Sequence, residues 1–175
     1  MKKIILALIA ITSSMIGFTQ TNFKLEKIDS ISKTKSQIYS DTKMFITEFW
    51  KSAQNVIQND DKEAGMILLK GTTKQSVSYA LSTLEFWYSY NIKFLMKDNK
   101  YKIIADEIKY QSGPSSLWDK KAQYLVPLEK FPGYSTSGLP EKQWNKLISN
   151  LKNEIGLIVE SYEKYIKKQS PSSDF

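Results

Sequence analysis

The chain of 175 residues contains no cysteine, no histidine and no arginine. Without cysteine there is no disulfide, no thiolate nucleophile and no lipobox thiol for a lipid anchor, so stability must come from the core alone. Without histidine the chain lacks the side chain that titrates nearest neutral pH and the commonest metal ligand. Nucleophilic sites built on Cys–His or Ser–His pairs, and ordinary zinc sites, are thereby excluded. Neither a cofactor nor a metal is expected. The absent arginine removes the planar fork that reads phosphate and guanine with two bonds at once. All 25 cations are lysines, set against 18 acids for a formal charge of +7, or +5 once Lys2 and Lys3 are set aside. A lysine-only excess of this size is no nucleic-acid signature, and no nucleic-acid partner is expected.

Long apolar runs are equally scarce. One opens the chain, MKKIILALIAITSSMIGFTQ, with Lys2 and Lys3 as a positive leader, Ile4 to Ile11 unbroken, and small residues Gly17 and Thr19 two apart. This is the pattern of a signal peptide, residues 1–19, cut near Thr19–Gln20. Thr12, Ser13, Ser14 and Gly17 interrupt it too early to span ~30 Å of hydrocarbon. No later segment is long and apolar enough to cross a bilayer. The expectation is an exported, soluble protein, periplasmic or secreted and not a lipoprotein, with a single domain over 20–168 and a flexible tail over 169–175.

What the chain does have is aromatic and β-branched periodicity. Phe23 and Leu25 alternate within NFKLEKID, a first strand. A helix capped by Ser30 or Ser32 is predicted through about Ala53. Its buried stripe is Ile38, Thr42, Phe45, Phe49 and Ala53, widened by Tyr39, Ile46 and Trp50. Short strands follow at Val56–Gln58 and Met66–Lys70. Phe86, Tyr88, Tyr90, Ile92, Phe94 and Met96 then alternate without a break, and another strand runs from Tyr101 to Tyr110. A two-residue type I′ turn at Asp98-Asn99 sets Met96 opposite Tyr101, Phe94 opposite Ile103 and Ile92 opposite Ala105. An odd loop would turn one apolar row outward. From Gln111 to Gly138 prolines and glycines make a loop, with room for a short helix at Ser115–Tyr124. Pro140 suits the first turn of a last helix, with Trp144, Leu147, Ile148, Leu151, Ile155, Ile158, Tyr162 and Tyr165 spaced for one buried face to about Lys168. The economical fold is α+β, in the order β-α-β-β-β-β-α, a mostly antiparallel sheet of about five strands with two helices on one face.

The stretch ITEFWKSAQNVIQNDDKEAGMILLKG, followed by the aromatic strand, the DNK turn and YKIIADEIKY, resembles a family of exported Bacteroidetes proteins. That family is described as a domain of unknown function with a TATA-binding-protein-like fold. The likeness runs from about Phe23 to Tyr110 and includes the placement of the terminal helix. Its most specific part is Trp50 followed by Val56–Gly71. The resemblance implies a curved antiparallel sheet backed by two helices. It implies no activity, because the family has no assigned catalytic residues and a fold does not confer function.

Three places invite a chemical reading. Asp60, Asp61 and Glu63 crowd together, but Lys62 intrudes, Gly65 follows too soon and no acid lies between Glu63 and Glu85, so the calcium-loop spacing fails. A hairpin tip explains them better. GMILLKGT has the wrong glycine spacing for a phosphate loop and lacks its lysine after Gly71. The odd-numbered face of the long aromatic strand carries Trp87, Ser89, Asn91, Lys93, Leu95 and Lys97. Of these, Trp87, Lys93, Leu95 and Lys97 are a candidate contact patch for a protein or a small ligand, with scattered exposed apolar residues as the equal alternative, and Trp118, Tyr124 and Tyr134 either extend that patch or pin the loop down. The reading is an exported non-enzymatic binding domain. The alternative is a hydrolase using carboxylates or a Ser–Lys pair, for which no spacing of acids, serines and lysines argues.

Overall fold

The computed structural model describes residues 23–79, 82–111, 123–124 and 139–169. The proposed leader, Trp118, Tyr134 and the residues after Gln169 lie outside that set. In chain order the elements are β1 (Leu25–Ser30), α1 (Lys35–Phe49), α2 (Ala53–Val56), β2 (Ile57–Asp61), β3 (Met66–Tyr79), β4 (Ser82–Lys97), β5 (Lys100–Gln111), β6 (Gln123–Tyr124) and α3 (Glu141–Lys168). The sheet runs β1-β5-β4-β3-β2, antiparallel throughout, with β6 pairing the far end of β5.

Parity along β4 decides the architecture. Phe86, Tyr88, Tyr90, Ile92, Phe94 and Met96 are all buried under the helices. Met96 stands opposite Tyr101, Phe94 opposite Ile103 and Ile92 opposite Ala105, the register that the apolar pattern requires. The turn itself differs from expectation. Asn99 has φ 60 but Asp98 does not share the positive φ of a type I′ turn. Asp98 serves another purpose, its carboxylate accepting the Lys35 backbone N–H at 2.6 Å. Asn99 is held by the β1–α1 connection, donating to the Lys33 carbonyl and accepting from Ile31. Contacts distant in sequence therefore set this turn.

Further along β5, Glu107 has φ 52 and the ladder slips between Ser89 and Asn91. This bulge reverses parity, so Ile108 enters the core that Tyr101, Ile103 and Ala105 entered before it. Gly71 faces Tyr90 across β3–β4, and the Tyr90 ring lies where a β-carbon would be, 2.3 Å from the ideal position.

The helices differ from expectation mainly at their ends. The cap of α1 is Thr34, not Ser30 or Ser32, and it forms a reciprocal capping box with Gln37. The helix stops at Phe49, which is exposed, and Ala53 belongs to the separate turn α2, as does Val56. Ile38, Thr42, Phe45 and Ile46 form its buried face. Pro140 caps α3 instead of occupying its first turn. The whole expected row from Trp144 to Tyr162 is buried, joined by Val159 and Ile166. Tyr162 ties the layers together, with its ring 5.2 Å from Phe45, 4.8 Å from Phe94 and 5.3 Å from Tyr101. Its hydroxyl bonds Thr42 at 2.8 Å. β3 runs to Tyr79, well past the expected Lys70. Tyr124, at the end of the segment with room for a helix, is in strand β6 instead.

Candidate functional site

With both helices on one side, the opposite sheet face has no element lying across it among the described residues. Register builds this face row by row. Ile28, Lys102, Leu95 and Met66 stand side by side from β1 to β3. The next row holds Glu26, Ile104, Lys93 and Leu68. Each row thus mixes apolar side chains with one lysine. Ile28 is 48% exposed, whereas Ile104, in the middle, is only 8% exposed. Glu26 accepts from Lys102 at 2.5 Å and from Lys24 at 2.9 Å. Bonds from Lys102 and then Lys24 hold its carboxyl below the usual range.

At the β4–β5 turn this face deepens into a cleft of about 330 Å³. Ile28, Leu95 and Ala64 supply apolar wall, and Lys97, Lys100 and Lys102 stand around it with no acid among the lining residues. The β2–β3 turn forms one side. Gly65 there has φ 66, and its carbonyl accepts the Met96 N–H at 2.7 Å. A side chain at Gly65 would collide with the Met96 carbonyl oxygen at 2.5 Å, so glycine is required for the close approach.

The four residues expected to form one patch share the face but not the place. Leu95 and Lys97 line the cleft, and Lys93 lies one row away. Trp87, 46% exposed, sits eight positions back along β4, roughly 26 Å at the usual rise. There the Lys74 ammonium lies 5.8 Å from its ring centre and pairs with Glu85 at 2.9 Å. The parity of β4 alone does not reveal Ile28, Met66, Leu68, Lys100, Lys102 and Ile104. Carrying the same register onto β3 and β5 would have found most of them.

The acidic segment is a hairpin connection between β2 and β3. The Asp61 carboxylate accepts the Ala64 N–H at 2.8 Å, an Asx-type turn. Asp60 reaches α1 instead, accepting from the Tyr39 hydroxyl and from Lys43. Burial pushes the Asp60 carboxyl up, but the bonds from Lys43 and Tyr39 outweigh it and the net shift is down. The Tyr39 hydroxyl is pushed up to about 12, first by donating to Asp60 and then by burial. The carboxylates thus serve packing and turn formation. Under the helices, Lys33 is 5% exposed and donates to Asp41 at 2.6 Å and to the Ile166 carbonyl at 3.1 Å, neutralising the end of α3. Glu154 accepts from Thr73 and Gln75, both at 2.5 Å.

An open antiparallel sheet covered on one face by two helices defines an α+β protein of TBP-like fold. The chain belongs to the family described as a domain of unknown function (DUF4468) with TBP-like fold, whose model matches residues 25–111. A crystal structure of a DUF4468 family protein from Bacteroides ovatus is similar at a TM-score of 0.58, with 16% identity over 87% of this chain and 89% of that one. A TBP-like protein from Parabacteroides distasonis gives a TM-score of 0.52, with 16% identity over 80% of this chain and 92% of the other. At that identity the likeness speaks for the fold. No curated protein is significantly similar in sequence. Among the described residues no helix is long and apolar enough to cross a membrane.

Proposed function

We propose that this chain is an exported, non-enzymatic binding domain, periplasmic or secreted, whose lysine-rimmed cleft takes a small ligand with an apolar body and an acidic group. One observation carries the reading: Ile28 and Leu95 converge with Lys97, Lys100 and Lys102 at one end of the helix-free face. A cavity of this size is at the small end of ligand sites, which combine apolar walls with a few placed polar groups. Lys97 and Lys100 stand outside any ion pair among the described residues, so their charge is available to an anion. Export is supported by the N-terminal pattern, and the absence of histidine and cysteine supports a role without catalysis.

Octanoate, octanol and sulfate separate the two components in a calorimetric titration. Octanoate is expected to bind, with octanol and sulfate each at least about tenfold weaker. Leu95→Asp and Lys97→Glu should each weaken octanoate by a similar factor. Equal binding of octanoate by the wild type and both variants, or none at all, would overturn the reading. A second reading rests on the exposure of Trp87: an elongated acidic partner crossing the face from cleft to Trp87. Binding of poly-glutamate that falls on Trp87→Ala would favour it, since a small ligand does not reach that far.

A further inference from the structure

Among the described residues β3 is paired on its outer side only at its start. β2 pairs with Met66 to Leu69 and ends, while β3 continues to Tyr79. From Lys70 to Ser78, alternate residues therefore turn N–H and C=O outward along about 27 Å of strand. Among the described residues no backbone group in this stretch bonds anything except β4. The other edges are guarded. β1 is short and charged, with Glu26, Lys27 and Asp29 all in ion pairs, two of them to α3 through Glu163 and Lys167. β2 is short, irregular between Ile57 and Asn59, and ends in two aspartates. Such features deter strand addition. The open part of β3 has no proline and no acid, and reads Lys-Gly-Thr-Thr-Lys-Gln-Ser-Val-Ser.

A second observation lies above that edge. Glu154 bonds Thr73 and Gln75, so this flank of α3 leans over β3. Leu157, three residues on, shares the flank and is 60% exposed.

We infer that two copies of this chain join β3 to β3, antiparallel about a two-fold axis at Gln75, and continue the sheet across a dimer. In that register Lys74 faces Ser76, Thr73 faces Val77 and Thr72 faces Ser78, with no like charges directly opposed. An axis at Lys74, or one at Thr72 that sets Lys70 against Lys74, would oppose two lysines. The operation keeps both helix layers on one side of the joined sheet and turns both Leu157 flanks toward the axis. Because the other described edges are guarded, association closes at two copies instead of growing. The cleft face stays free, so this inference stands or falls independently of the ligand.

Sedimentation velocity on the purified chain from about 1 to 200 µM tests it by mass action. A monomer–dimer equilibrium is expected. Leu157→Lys and Ser76→Lys should each raise its dissociation constant roughly tenfold or more, with circular dichroism and thermal midpoint showing that both variants fold. Amide exchange within Thr72–Ser78 should slow as concentration rises. A monomer throughout that range, a dimer indifferent to both variants, or concentration-dependent protection confined to Leu25–Ser30 would overturn the proposal.

Discussion

Tyr90 and Gly71 show how one side chain dictates another. The Tyr90 ring packs against Gly71, and the β-carbon of an alanine there would fall 2.3 Å from ring carbon. Overpacking of this kind costs ~1–3 kcal/mol. Gly71→Ala should lower the denaturation midpoint accordingly, while the same change in a Tyr90→Ala background should be close to neutral. Equal losses in both backgrounds would show that the ring is not the cause. Tyr162 makes a smaller, more specific contribution. Its hydroxyl bonds Thr42, whose own hydroxyl already donates to the Ile38 carbonyl at 2.7 Å. Tyr162→Phe therefore leaves no buried donor unpaired and should cost only ~0.5–1.5 kcal/mol in urea unfolding.

Elements whose two faces differ sharply were legible in the sequence. The even positions of β4 and the three-and-four spacing of α3 carry large apolar groups on one side only, so parity and period read off directly. The strand signal of β3 fades in the sequence because beyond Leu69 its covered face holds Thr73, Gln75 and Val77, side chains without a strong apolar contrast. Its continuation is enforced by the β4 ladder and by Glu154. In the sequence Phe49 and Ala53 extend the α1 stripe, although the chain turns out at Trp50. At the other end, Ser30, Ser32 and Thr34 are all plausible caps, and only Thr34 has Gln37 three residues on to close the box. Thr34→Ala should cost ~1 kcal/mol, measured by thermal unfolding, and the same change at Ser32 should cost far less. The candidate site was half legible: Leu95, Lys93 and Lys97 follow from β4 parity, but the cleft also needs β1, β5 and the β2–β3 turn.

The molecule as a whole places its ionisable groups so that stability should fall at both ends of the pH scale. Burial, and then the charge of Glu154, pushes the Tyr90 hydroxyl up to about 12. Tyr39 reaches about 12 through its bond to Asp60, and burial raises Tyr101 and Tyr162 as well. An unfolded tyrosine titrates near 10, so above that pH the unfolded chain has lost protons that the folded one keeps. The stabilisation is complete below pH ~10 and disappears as pH rises toward the folded values. Asp60 and Asp29 behave in the opposite sense. Lys167, followed by the Ser30 N–H, draws the Asp29 carboxyl down, and Asp60 is also lowered. Their contribution is present above pH ~3.9 and lost as pH falls through the folded values. The thermal midpoint should therefore drop between pH 10 and 12 and again below about 4; a flat alkaline limb would contradict the burial of these phenols.

The helix-free face carries the functional reading, and amide NMR of the 15N-labelled chain titrated with octanoate addresses it most directly. Shifts concentrated at Ile28, Ala64, Leu95, Lys97, Lys100 and Lys102, with Trp87 and the α3 amides unmoved, are the expected result. Shifts confined to helix-side residues, or no shifts anywhere at saturating octanoate, would contradict it.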